Sequence, residues 1–64
     1  MRGGDIVTLA ESVIAYRARH RMTQEEFARL TGYTRATIVK IESGKRVRPV
    51  TEATVRMIVE EGKK

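Results

Sequence analysis

Two capping signals, Thr23 and Thr34, stand eleven residues apart and constrain this chain more than any other feature. Thr23 and Glu26 have the spacing of a capping box: the hydroxyl can accept from the Glu26 backbone N–H, and the carboxylate can reach back to the N–H of Thr23. Met22 and Phe27 flank it as a hydrophobic staple. A helix is therefore predicted from Gln24, burying Phe27, Ala28, Leu30 and Thr31 and stopping at Gly32, the residue best able to adopt positive φ at a helix end. Only Gly32 and Tyr33 separate it from Thr34, which caps the next helix, with Tyr33 and Ile38 placed for a second staple and Gly44 as its end. So short a connection is incompatible with antiparallel packing, so the pair must cross steeply, and the small Ala28 side chain lets the helices approach closely. This is helix-turn-helix geometry, although a plain helical corner in a structural bundle shares its features.

The flanks also read as helices. Ile6, Leu9, Ala10, Val13 and Tyr16 follow the spacing of one helical face, with Asp5 or Thr8 as N-cap and Glu11 three residues beyond Thr8. This first helix ends near His20. Arg17, Arg19 and Arg21 in its last turn complement the helix dipole or serve a partner. Pro49 prevents helix before it, Thr51 is the expected N-cap of a fourth helix with Val55, Ile58 and Val59 facing inward, and Gly62 ends it. Lys63 and Lys64 form a tail with no assigned role. Met57 falls off the inward stripe and Val50 sits in the preceding loop, which makes both candidates for a subunit contact. The expected architecture is all-α, one domain over residues 1–64.

Charge narrows the partner. The 64 residues carry a net charge of +5, and residues 1–50 hold all of that excess, with ten basic side chains against five acidic. Two clusters dominate: Arg17, Arg19 and Arg21, then Arg35, Lys40, Lys45, Arg46 and Arg48. Such clustering suits an anionic polymer, ordinary solvation being the bland alternative. With no cysteine and one histidine, His20, there is no disulfide scaffold, thiolate metal site or cysteine nucleophile, which suits a cytoplasmic location. No apolar stretch approaches a membrane span, and Asp5 and Glu11 interrupt the only candidate for a signal peptide. Gly44-Lys45 lacks the other residues of a phosphate-binding loop, and His20 has only scattered partners for a hydrolytic triad, so an enzyme is not expected. Neither a cofactor nor a small-molecule ligand is indicated. RNA binding is disfavoured by having only Tyr16, Phe27 and Tyr33 as aromatics.

The run Met22-Thr23-Gln24-Glu25-Glu26-Phe27-Ala28, then Gly32, Thr34, Ile38 and Ile41-Glu42-Ser43-Gly44-Lys45, resembles the Cro and phage-repressor type of helix-turn-helix, the XRE family. The pattern covers about residues 13–61. The resemblance implies a compact lambda-repressor-like DNA-binding domain that regulates transcription. It departs from the family in having Arg21 where glycine is frequent, and in ending after four helices where five are usual.

On the third helix, Ile38, Ile41 and the Glu42 stem fall on one side at about 100° per residue, with Ala36, Val39, Lys40 and Ser43 opposite and Arg35 and Thr37 on the flanks. The resemblance implies that Arg35, Ala36 and Lys40 approach base edges in the major groove. Arg35 or Lys40 suits guanine, whereas Ala36 and Val39 offer apolar contact to a thymine methyl. The resemblance also places Gln24 on a backbone phosphate. Tyr33, Thr34, Thr37 and Ser43, with Lys45, Arg46 and Arg48 in the following loop, complete the expected backbone set. An Arg17–Glu42 pair linking the first and third helices is a further implication, and an unpaired carboxylate there would be costly. The expected partner is double-stranded DNA, bound by a two-fold homodimer formed at least on DNA through Val50 and Met57. Steric repression is the favoured role, and the alternative is an antitoxin or antirepressor that mainly binds another protein.

Overall fold

The computed structural model describes residues 8–61, which form α1 (Leu9–His20), α2 (Gln24–Thr31), α3 (Arg35–Glu42) and α4 (Pro49–Glu61). The expectations for Asp5, Ile6, Gly62 and the Lys63-Lys64 tail lie outside the described residues. Both capping boxes form. The Thr8 hydroxyl accepts from the Glu11 N–H at 3.1 Å and the Thr23 hydroxyl from the Glu26 N–H at 3.0 Å, while each glutamate accepts from its threonine's N–H. Thr34 caps α3 by accepting from the Thr37 N–H at 3.3 Å.

The three chain reversals share one device. After α1, α2 and α3 the backbone turns left-handed at Arg21, Gly32 and Gly44 (φ 56°, 86° and 81°). The next N–H then donates back to a carbonyl of the last turn: Met22 to Arg17, Tyr33 to Ala28, and Lys45 to Lys40, at 2.9–3.0 Å. This pattern satisfies carbonyls that a helix end leaves orphaned. At Gly32 a Cβ would meet no atom within 4 Å, so the left-handed φ, not crowding, is what favours glycine. Arg21, which stands where the family frequently has glycine, takes the left-handed conformation that Gly32 and Gly44 also adopt.

The core is Val13 from α1, Phe27 and Ala28 from α2, Ile38 and Ile41 from α3, and Val55 and Val59 from α4. Leu9, Tyr16, Met22, Tyr33, Val47 and Ile58 pack around it. The Tyr16 and Phe27 rings meet edge to face at 5.5 Å. Complete burial of Phe27, Ile38, Val13 and Val55 contributes about 1.5–3 kcal/mol each, an upper estimate that conformational entropy offsets. Helix α3 packs on α1 and α2, and α4 closes the far side against α1 and α2. Among the described residues no helix is long and apolar enough to cross a membrane.

Three expectations need correction. Leu30 is 47% exposed, because the arc of α2 turned to the core runs from Phe27 through Thr31 and Gln24 to Ala28, and Leu30 lies beyond Phe27 on the other side. Thr51 does not cap α4: Pro49 is its first residue, where a fixed φ and a missing N–H carry no penalty, and the Arg48 carbonyl accepts the first helical bond from the Glu52 N–H. Thr51 is instead buried, one helical turn before Val55 on the inward stripe. Val50 accordingly lies in the first turn of α4, not in the loop.

Candidate nucleic-acid interface

The outward side of α3 presents Arg35, Ala36 and Lys40 to solvent, with the exposed Ser43 just past its end; Thr37 is half-buried on a flank, and Val39, expected on the outward face, is half-buried as well. Thr34 and Thr37 are tied to each other, their hydroxyl oxygens 3.2 Å apart. Beside this face runs a cleft of about 470 Å³ lined by Thr37, Lys40, Arg46, Val47, Arg48 and Thr51. Its walls carry three cations and no carboxylate, and Val47, anchored on the core, holds the loop that supplies two of them. The structure thus brings Lys40, Arg46 and Arg48 together. Lys45 instead borders a smaller cleft shared with Thr8, Leu9 and Ala10 at the start of α1. Tyr33 packs half-buried against the core and its backbone N–H donates to Ala28.

The end of α3 is fixed by a polar cluster. Arg17 Nε donates to Glu42 Oε2 at 2.6 Å and Nη2 to Oε1 at 3.0 Å, a two-pronged pair whose side chains are only 21% and 9% exposed. Arg17 Nη1 also donates to the Met22 carbonyl at 3.0 Å, and the Gln24 amide donates to Glu42 Oε1 at 3.0 Å. The roles of Met22 and Gln24 here were missed by sequence reasoning: partners 5 and 18 residues apart leave no periodic signal. One amide hydrogen of Gln24 is already committed to Glu42, which leaves the second for another acceptor.

Burial pushes the Glu42 carboxyl upward, but the hydrogen bonds from Arg17 and Gln24, with the Arg17 charge, outweigh it and hold the group below the usual carboxylate range. The bond to Glu42 raises Arg17 against the opposing effect of burial. A carboxyl depressed on folding contributes stability that is whole above its unfolded pKa and is lost as pH falls through the folded one. Thermal melts should therefore show Tm falling progressively below about pH 5, and more steeply than in Glu42→Gln, which has no carboxylate to protonate. Parallel pH profiles for the two proteins would show that Glu42 does not titrate in this way.

Two short helices packed against each other across a brief glycine-containing turn, with an exposed face on the second and an adjoining cationic cleft, define the class of small helix-turn-helix domain. A family model described as a helix-turn-helix domain matches residues 8–59, and the chain belongs to that family, in agreement with its Cro-type resemblance. Neither the curated proteins nor the solved structures yield a match.

Proposed function

We propose that the chain is a sequence-specific double-stranded DNA-binding repressor of the Cro kind, acting in the cytoplasm without a cofactor, with α3 inserted in the major groove. The observation that carries this reading is the continuity between the exposed face of α3 and the cleft holding Lys40, Arg46 and Arg48. Arg35 and Lys40 read guanine edges, and Ala36 and Val39 meet thymine methyls. Arg46 and Arg48 follow the phosphates, with Lys45 at their margin and Tyr33, Thr34, Thr37 and Ser43 around the helix. The uncommitted amide hydrogen of Gln24 reaches a phosphate while its partner holds Glu42.

The repressor works as a two-fold dimer on DNA. A single small module buries roughly 600–1,000 Å² on a duplex, which falls short of regulatory affinity. Val50 and Met57, 63% and 55% exposed and two turns apart on one side of α4, supply an apolar strip for a second copy. The reading helices then lie about 34 Å apart and demand a near-palindromic operator. Sedimentation at micromolar protein, with and without an operator selected from random duplexes, tests this. Two protomers per operator are expected, with weak self-association in free solution. One protomer per operator at saturation would refute the dimer, and a lack of salt-dependent duplex binding would favour the protein-binding alternative.

A further inference from the structure

Arg21 is the only residue other than glycine with positive φ among the described residues, at 56°. A side chain there costs conformational energy that glycine avoids, and such strain persists where something else requires the residue. Its guanidinium does not serve the fold in any visible way: no carboxylate lies within ion-pair distance among the described residues, and the side chain is exposed. Nor does the α1 dipole depend on it, since Arg19 already places positive charge in the last turn.

Its location is informative. The neighbouring Met22 carbonyl is tied to Arg17, Arg17 is tied to Glu42 at the end of α3, and Gln24, three residues on, is tied to the same carboxylate. Three side chains thus fasten the α1–α2 link beside the reading helix. We infer that Arg21 contacts a DNA phosphate and extends the interface from α3 across this link to the end of α1. The inference rests on the DNA-binding reading above, and phosphate recognition is what accounts for a cation in a conformation that favours glycine.

Arg21→Gly is the decisive variant, because it relieves the backbone while removing the charge. Binding is measured on a random-sequence duplex of about 20 base pairs between roughly 50 and 200 mM salt. Arg21→Gly should melt several degrees higher than wild type yet bind about three- to ten-fold more weakly, with a slope of log affinity against log salt shallower by about 0.9. Arg21→Lys should keep the wild-type slope. Unchanged affinity and slope in Arg21→Gly would overturn the inference while leaving the DNA-binding reading intact. A lower Tm would overturn it too, by showing that the guanidinium supports the fold. No salt-dependent binding by the wild type would remove both.

Discussion

Glu42→Ala is expected to remove about 3 kcal/mol of stability, the lower end of the range for breaking a buried pair, because the abandoned Arg17 retains some exposure and its bond to the Met22 carbonyl. For a chain this short the whole folding free energy is about 3–10 kcal/mol, so the loss is a large share of it. At about 4–8 °C per kcal/mol, Tm should fall by roughly 12–24 °C. Glu42→Gln should fall between wild type and Ala, since it can still meet Arg17 and Gln24 through its amide but offers no charge. A Tm within a few degrees of wild type in Glu42→Ala would mean that the pair is solvated and that α3 is positioned by its apolar face alone.

The second large effect belongs to recognition. Once the operator has been selected from random duplexes, Arg35→Ala and Lys40→Ala should each cost about 1–3 kcal/mol of binding, or about 5- to 150-fold, and flatten the preference at their own base positions. Arg46→Ala should instead weaken all duplexes similarly and make the salt dependence shallower. The contrast identifies a reading residue against a positioning one. If Arg35→Ala and Lys40→Ala both leave the base preference unchanged, α3 does not read the sequence.

Local signals account for what the sequence disclosed. Thr8 with Glu11, Thr23 with Glu26, and Gly32 before Thr34 each act through neighbours within a few positions, so helix ends and the two-residue turn are written where they occur. The exposed side of α3 followed because Ile38 and Ile41 leave only one arc for the core. Features that depend on distant partners were less legible. Leu30 and Thr51 were misassigned because apolar character and hydroxyls do not reveal which neighbouring helix covers a face, and Pro49 begins a helix as readily as it forbids one before it. The Gln24–Glu42 bond joins residues brought together only by the packing of α2 against α3. Arg21 shows the same limit from another side: its type gave no hint that the turn would force it left-handed.

The fastening of α3 has a consequence for its partner. Threonine caps its first turn, a left-handed glycine and its return hydrogen bond close its last, and Glu42 is held from two other helices. If α3 reads DNA as proposed, a helix clamped at both ends cannot tilt to follow an irregular duplex, and in the proposed two-fold complex the adjustment would fall to the DNA. Base pairs between the half-sites, touched by no side chain, then influence affinity through how readily they twist or bend, and stiff spacers weaken an operator whose contacted bases are all correct.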